Sequence, residues 1–322
     1  MIQNAFIALA AGLASTLLFA SVASGSPMSI LLFNLAPLPI LIAGIGWSHA
    51  AALGAAIAAA AALAAMFGGQ IFISFLIGVG LPAWWLAYLA LLARAGATAA
   101  SAPAVEWYPV GRIVLWSALV STLVVVIVML TVASDEETLR DTLRNSLTAV
   151  MRGARADIDP ANRGPFMQLL FDEPHRVLPA AAAVLTTIMQ VFTLWLAARI
   201  VRTSGRLRRP WPAIAEMRFP PRALMLLGGA FLVSMLPGLV GIAGSIATAA
   251  VLSAYALLGL AIIHALTRPL GARGFILGGL YAGIMVIGWP MLLMTILGIA
   301  DNWLDLRARL PRTSPPAPLD RT

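Results

Sequence analysis

Apolar runs recur along this chain at the length of a membrane-spanning helix, and polar residues are confined to the gaps between them. Such a helix needs about 20 mostly apolar residues, and this rule divides the chain into nine candidate segments. The segments are Ala5–Ala23, Ser29–Gly46, Ala50–Met66, Ile71–Ala93, Ile113–Ala133, Leu178–Val201, Ala223–Leu239, Ile242–Leu266 and Phe275–Ile299. The pattern predicts an all-α fold, a polytopic transmembrane helical bundle with eight or nine membrane segments.

The distribution of charge divides the chain into parts. No Asp, Glu, Lys or Arg occurs before Arg94, and only a hydrocarbon solvent suits such a stretch. We therefore predict a four-helix transmembrane unit over residues 1–94, with short turns that make neighbouring helices antiparallel. A Pro/Ala/Ser-rich linker follows over residues 95–112, then a second transmembrane unit over residues 113–300 and a polar tail over residues 301–322.

Residues 134–176 are predicted to lie outside the membrane, with eight acidic residues against six Arg. Ser134 and Glu137 have the spacing of a capping box, which marks the start of a helix. Apolar residues then recur at helical spacing, namely Leu139, Leu143, Leu147 and Met151. This pattern predicts an amphipathic helix that lies on the membrane surface.

Composition agrees with a membrane protein and bears on its orientation. The chain is 61% hydrophobic and 11% charged, its mean hydropathy is +0.92, and all 21 basic residues are Arg. These arginines lie between apolar runs, as in membrane-orienting loops, and we exclude nucleic acid as a partner. The connection from Arg199 to Arg222 carries seven Arg against Glu216 alone. We predict a multi-pass protein of the bacterial inner (plasma) membrane with this connection and the N-terminus in the cytoplasm.

The last apolar segment leaves the helix count open. Nine crossings would place Arg307, Arg309 and Arg312 outside. A break at Pro290 would instead make the segment re-entrant and return the tail to the cytoplasm. The sequence allows both.

No pattern of catalytic residues is present. The chain has no cysteine, which excludes disulfides, iron–sulfur clusters and thiolate metal sites. It has no phosphate-binding Gly-Lys-Ser/Thr loop, no nucleophile elbow and no zinc-protease helix. We therefore expect no enzyme activity, no cofactor and no metal site.

Polar residues inside the predicted spans are the candidate ligand-binding groups. Asn34 and Gln70 are predicted toward the outer side of the membrane and Gln190 near its middle. Together these amides would line an outward-opening cavity for a small polar or amphipathic molecule, and the alternative for each is a hydrogen bond to a neighbouring helix. Trp84 and Trp85 follow Pro82 and are candidates for the wall of a pocket, with membrane-interface anchoring as the alternative.

Small residues spaced four apart predict close helix packing. They are Ala10 and Ala14; Gly54, Ala58 and Ala62; and Gly279 and Gly283. The Ala-rich segment that begins at Gly54 is expected inside the bundle or against another membrane subunit.

Several motifs resemble those of a known family. They include Met217-Arg218-Phe219-Pro220-Pro221, Leu258-Gly259-Leu260-Ala261-Ile262-Ile263-His264, and the ending Asp301-Asn302-Trp303-Leu304-Asp305-Leu306-Arg307. With them the chain resembles, over nearly its whole length, the YybS-like family of predicted bacterial membrane proteins, a domain of unknown function. The resemblance implies a membrane bundle and does not name a reaction.

The N-terminal helices are also similar to the substrate-binding subunits of energy-coupling-factor transporters and to the rod-shape protein MreD. In such subunits a small-xxx-small pattern on the first helix contacts the coupling partner, and Ala10 and Ala14 match that pattern. The resemblance favours a substrate-binding or transport-accessory component without its own energy source. The alternative is a non-enzymatic scaffold for cell-envelope assembly. Expected partners are the lipid bilayer, another membrane subunit and a small molecule.

Overall fold

The computed structural model describes residues 2–95, 105–153, 164–212 and 214–305. Within these ranges nearly all secondary structure is helical. The α-helices are α1 (Ile2–Ala20), α2 (Pro27–Asn34), α3 (Pro37–Gly46), α4 (His49–Phe67), α5 (Gln70–Phe75), α6 (Leu81–Leu91), α7 (Val110–Val132), α8 (Glu136–Gly153), α9 (Pro165–Asp172), α10 (Pro174–Thr203), α11 (Ala223–Ser234), α12 (Gly238–Leu266), α13 (Arg273–Ile287) and α14 (Pro290–Leu304). Two short strands, β1 (Ala93–Ala95) and β2 (Val105–Trp107), pair antiparallel.

Seven helical stretches of the described chain are long and apolar enough to cross a membrane. They are Ile2–Ser24, Met28–Gly46, His49–Phe67, Gln70–Leu91, Val110–Val132, Pro174–Thr203 and Gly238–Leu266. The chain bends by 119° between α13 and α14, next to Pro290. The two helices form an eighth span if the bent pair is one span. Large apolar side chains are exposed around the bundle, as contact with lipid requires. The predicted all-α polytopic bundle is confirmed, with seven or eight spans.

The predicted span Ala223–Leu239 is a shorter element than expected. Helix α11 has 12 residues and is therefore only about 18 Å long, too short for a hydrocarbon core of about 30 Å. It ends at Ser234, and Gly238, with a φ of +70°, starts α12. The two helices pack closely, because a Cβ on Gly244 would overlap the backbone at Ser234. The prediction from segment length includes the turn between α11 and α12 in a single span.

Helix α12 forms the centre of the second half of the bundle. It contacts α7, α10, α11 and α14, and the Tyr255 side chain is fully buried. Gly259 lies against the Met294 carbonyl and Gly298 lies against the Tyr255 carbonyl. These two glycines allow the backbones of α12 and α14 to touch.

Helix α8 begins at a different cap from the predicted one. The Asp135 carboxylate accepts hydrogen bonds from the backbone N–H of Thr138 (2.8 Å) and from its hydroxyl (2.9 Å), whereas Ser134 donates to Asp135 at 3.1 Å. The predicted capping box between Ser134 and Glu137 was wrong by one residue, because Asp is an equally good cap. The Thr138 backbone bond holds the pKa of Asp135 below its usual value.

A buried histidine fixes α8 to α10. The His175 Nε2 atom lies 3.0 Å from the Glu136 carboxylate, and Arg140 Nε donates to His175 Nδ1 at 3.3 Å. Since the guanidinium only donates, Nδ1 accepts and Nε2 carries the proton. The neutral imidazole therefore donates to Glu136. Leu139 is buried beside this contact, so α8 packs on the bundle through its first half.

The predicted linker contains a hairpin. Strands β1 and β2 pair Arg94 with Glu106, whose side chains lie 2.7 Å apart, and helix α7 begins at Val110. Residues 96–104 lie outside the described residues.

Two arginine-bearing connections meet at one end of the bundle. Arg209, after α10, donates to the Tyr108 carbonyl before α7 at 2.8 Å. The Arg206 guanidinium stacks 4.7 Å from the centre of the Trp47 ring, just after α3. This hydrogen bond and this cation–π contact join the ends of α3, α7 and α10. The side of the membrane on which this end lies stays a prediction.

Candidate functional site

A cavity of about 290 Å³ lies between the first helices and the pair α7 and α10. We call it the central cavity. Its lining residues are Phe19, Phe33, Asn34, Pro37, Leu41, Ser74, Gly78, Val79, Pro82, Ala83, Leu86, Val124, Thr186, Met189, Gln190 and Thr193. The walls are mostly apolar, and no charged residue of the described chain lines them. Five polar side chains therefore decide what the cavity can hydrogen-bond.

Gln190 is the most deeply placed of these polar groups. It lies near the middle of α10 with 7% of its surface exposed. Its Oε1 atom is buried and has no hydrogen-bond partner among the described residues. An unpaired buried acceptor is costly. The amide of Gln190 is thus available to a donor in the central cavity.

One wall of the central cavity is an interrupted helix. Pro37 lacks a backbone N–H, and the chain breaks at Leu35 and Ala36 between α2 and α3. Ser15 of α1 donates to the Ala36 carbonyl at 2.6 Å, which satisfies that carbonyl at the break. The Asn34 amide donates to the Ile30 carbonyl at 2.8 Å and keeps its carbonyl oxygen as an acceptor. Non-helical backbone at this depth is tolerated where it is buried or lines a cavity.

Another part of the cavity wall contains a wide helical turn. Residues Leu76–Gly80 form a π-helix, in which the Leu81 N–H bonds the Leu76 carbonyl five residues back. Pro82 has no N–H to offer the Gly78 carbonyl, which explains why the regular ladder fails here. Gly78 and Val79 of this turn line the central cavity. π-turns inside helices occur frequently at functional sites.

The structure brings two of the three predicted amides together. Asn34 and Gln190 both line the central cavity, although they are 156 residues apart in sequence. Gln70 is exposed at the start of α5 and does not line it. The backbone carbonyl of Gln70 accepts from Ser74 at 3.2 Å, and Ser74 is the cavity residue on that helix. A ligand-binding role for these residues stays a prediction.

Trp84 and Trp85 do not line the central cavity. Their rings stack with Tyr88, at 6.2 Å and 5.6 Å between centroids, and Trp85 contacts Trp116 edge-on at 5.3 Å. Both indole nitrogens are buried without a hydrogen-bond partner among the described residues. The two tryptophans therefore belong to an aromatic cluster on the other face of α6.

Sequence analysis missed Ser74, Thr186 and Thr193. Hydroxyl residues are common in membrane helices, where they bond their own backbone, as Thr193 does to the Met189 carbonyl at 2.8 Å. The run Gly78-Val79-Gly80-Leu81-Pro82 was the available signal, since glycines before a proline favour an irregular turn.

The predicted packing residues have different environments. Helices α1 and α4 pack through Gly12, where an added Cβ would lie 2.8 Å from the Ala55 carbonyl and from the Ala58 side chain. A Cβ added to Gly54 would lie 3.1 Å from the Ala8 side chain. Ala10 is exposed and Ala14 and Ala62 are half-buried. The small-residue face of α1 that meets α4 is thus offset from the predicted one, and the Ala10 surface stays accessible.

Comparison with known proteins places the chain in a family. No curated protein and no solved structure matches it. The model of one family, described as "Predicted membrane protein (DUF2232)", matches residues 13–302. The predicted membership of a family of uncharacterised membrane proteins is confirmed, and the match includes both halves of the bundle. This chain belongs to the DUF2232 family of predicted membrane proteins.

Proposed function

We propose that this protein is a substrate-binding or transport-accessory component of the bacterial inner membrane, without its own energy source. Its ligand is a small, uncharged polar or amphipathic molecule that enters the central cavity. The proposal includes no catalytic step. Neutrality of the ligand is argued from the absence of charged side chains among the residues that line the cavity, because a charged ligand in an apolar site needs a counter-charge.

The unpaired Oε1 atom of Gln190 is the observation that carries the proposal. A buried acceptor without a partner lowers stability unless something else satisfies it. A donor group on a ligand would do so at no further desolvation cost to the protein. Asn34, on α2, offers a second amide at the same cavity. Two amides contributed by different helices can orient a small polar molecule.

The backbone around the central cavity supports the same function. Residues next to the break between α2 and α3 and residues of the π-turn at Leu76–Gly80 both line it. Irregular backbone in a membrane helix is costly and is kept where it lines a cavity. Broken helices at the binding site are also a property of many transporters.

Co-purification tests the proposal. Wild-type protein, Gln190→Leu and the control Gln168→Leu are purified in mild detergent, and their bound non-lipid molecules are extracted and identified by mass spectrometry. Gln168 lies on α9 and is exposed, so its substitution changes the same chemical group away from the cavity. We expect a compound retained by wild type and by Gln168→Leu and absent from Gln190→Leu. Adding that compound back should raise the unfolding temperature of the first two proteins only.

The same set of retained molecules in all three proteins, or no non-lipid molecule in any of them, would contradict the proposal. Monodisperse elution of Gln190→Leu separates loss of binding from loss of fold.

The scaffold alternative requires a free helix face. The face of α4 that carries Gly54 and Ala58 already packs on α1, so a partner chain would need another surface. Ala10, exposed on α1, and Gly279, exposed on α13, are predicted packing residues that stay accessible. Co-purification of a membrane partner that Ala10→Leu abolishes would favour the scaffold.

A further inference from the structure

A second cavity, of about 490 Å³, lies on the other side of α10. We call it the apolar cavity. Helices α7, α10 and α12 form its walls, with Ile113, Leu194 and Leu260 among the lining side chains, and α13 covers part of it. Its volume is in the range of about 300–1,000 Å³ that ligand sites occupy. The lining is almost wholly apolar, so the central cavity and the apolar cavity select different chemistry.

The apolar cavity opens toward the hydrocarbon of the bilayer. Phe192 and Trp195 form part of its rim and are 44% and 41% exposed. Helix α13 has no buried residue, and the bond between His264 Nε2 and the Tyr281 hydroxyl, at 2.9 Å, joins it to α12. A molecule that enters from the lipid phase needs to displace no packed core.

Three arginines stand at the polar mouth of this cavity. Arg209 and Trp211 line it, and the guanidinium groups of Arg199 and Arg202 lie 5.9 Å and 4.8 Å from the centre of the Trp211 ring. None of the three has a carboxylate within ion-pair distance among the described residues. The mouth therefore carries positive charge that the described protein does not neutralise.

Partial burial of Arg209 favours binding of an anion at this mouth. Partial desolvation lowers the pKa of Arg209 from its usual value, while its Nη2 atom donates to the Tyr108 carbonyl at 2.8 Å. Glu216 is the one acid between Ser204 and Arg222. An anionic head group at the mouth would accept the remaining guanidinium N–H donors.

From this arrangement we propose that the apolar cavity is a binding site for one anionic phospholipid, with an acyl chain in the cavity and its phosphate against Arg199, Arg202 and Arg209. A phospholipid combines an anionic phosphate, which complements the arginines at the mouth, with an acyl chain, which fits the apolar chamber directly behind it. Neither a free phosphate nor a neutral apolar molecule uses both. This site is separate from the central cavity, and its occupancy does not depend on the ligand proposed there.

Native mass spectrometry of the full chain in detergent tests the site. Dioleoyl phosphatidylglycerol is titrated against dioleoyl phosphatidylcholine, which has the same chains and a neutral head group. We expect one phosphatidylglycerol to bind at least tenfold more tightly than phosphatidylcholine. Arg199→Gln/Arg202→Gln should weaken phosphatidylglycerol binding by roughly 10- to 30-fold, because each arginine near an anionic lipid changes the affinity by roughly fivefold. Both arginines are exposed, so the fold should be retained.

Two controls separate the site from general lipid binding. Arg208→Gln/Arg268→Gln removes the same charge from exposed positions that do not line the cavity and should leave the preference intact. Leu260→Trp should fill the cavity and abolish the tight phosphatidylglycerol, whereas Leu232→Trp, at a lipid-facing position on α11, should not.

Three results would overturn the proposal. They are equal binding of the two lipids by wild type, equal weakening by both arginine pairs, and displacement of phosphatidylglycerol by excess inorganic phosphate. The last would mean that the mouth binds free phosphate and that the chamber behind it is unused.

Discussion

The Nε2 atom of His175 and the Oε1 atom of Glu136 lie 3.0 Å apart, and this contact joins the extramembrane helix α8 to the start of α10. His175→Ala removes the donor and also one acceptor of the Arg140 guanidinium, which keeps its ion pair with Glu173 at 3.9 Å. We expect the free energy of unfolding to fall by about 1–3 kcal/mol and the amides of α8 to exchange faster with solvent.

Hydrogen–deuterium exchange of α8 measures this effect. Glu136→Gln keeps an acceptor oxygen and should change little, and Arg152→Gln, exposed near the end of α8, is the control. Unchanged exchange in His175→Ala would mean that Leu139 and the ion pairs Arg140–Glu173 and Arg176–Glu136 hold α8 in place without the histidine.

Gly298 should be among the least replaceable residues in the second half of the bundle. A Cβ at this position overlaps the Tyr255 carbonyl, whereas one at Gly279 meets nothing within 4 Å. We expect Gly298→Ala to separate α12 from α14 and to cost about 1–3 kcal/mol. Gly279→Ala should be neutral or stabilising, since Ala favours a helix. Thermal unfolding in detergent checks the pair, and equal melting temperatures would refute the close contact.

Gln190→Leu should stabilise the ligand-free protein. Leucine has a similar volume and removes the buried acceptor that lacks a partner. We expect a gain of about 1–2 kcal/mol in the unfolding free energy, together with loss of the central-cavity ligand. If Gln190 served only in packing, its replacement by Leu would instead lower the free energy of unfolding. Thermal unfolding of ligand-free samples, with Gln168→Leu beside it, makes the comparison.

The start of α8 should depend on pH. The Thr138 backbone N–H holds the pKa of Asp135 below its usual value, so its contribution is present above the unfolded pKa of about 3.9 and is lost as the pH falls toward the folded pKa. Protection factors for the first turn of α8 should therefore hold above about pH 5 and fall as the pH drops below about 4.

Asp135→Asn is the matched variant for this measurement. Asparagine caps a helix without titrating in this range, so its first turn should change less over the same interval. An equal change in both proteins would mean that Asp135 is not the source of the pH dependence.

Most spans could be predicted because hydrocarbon permits little besides long apolar helices. The error at Ala223–Leu239 arose from the same rule, since a short helix, a turn and the start of α12 are as apolar as one span. Pro290 marked the bend between α13 and α14 correctly, because proline removes a backbone donor wherever it stands. The hairpin of β1 and β2 had no signal, as its pairing joins two three-residue strands across an Ala-rich stretch without an alternating pattern.

The site was only partly predictable. Polarity alone identified Asn34 and Gln190, and both line the central cavity. It could not place Gln70, because the rotation of a helix about its axis decides whether a side chain faces the cavity. A uniformly apolar helix has no polar face from which that rotation could be predicted. Trp84 and Trp85 show the same limit, since their aromatic partners come from other parts of the chain.

The π-turn at Leu76–Gly80 makes the length of its helix adjustable. Deleting one residue from an α-helix rotates everything beyond it by about 100°, which would move each side chain of α6 off its neighbours. Here the extra residue is already accommodated in a wide turn, so its removal would tighten that turn and leave both flanks in register, while the missing N–H of Pro82 would still leave one carbonyl without a helical bond. The span would persist while the wide turn at the central cavity disappeared, so related chains one residue shorter at this point would fold alike and offer a different chamber.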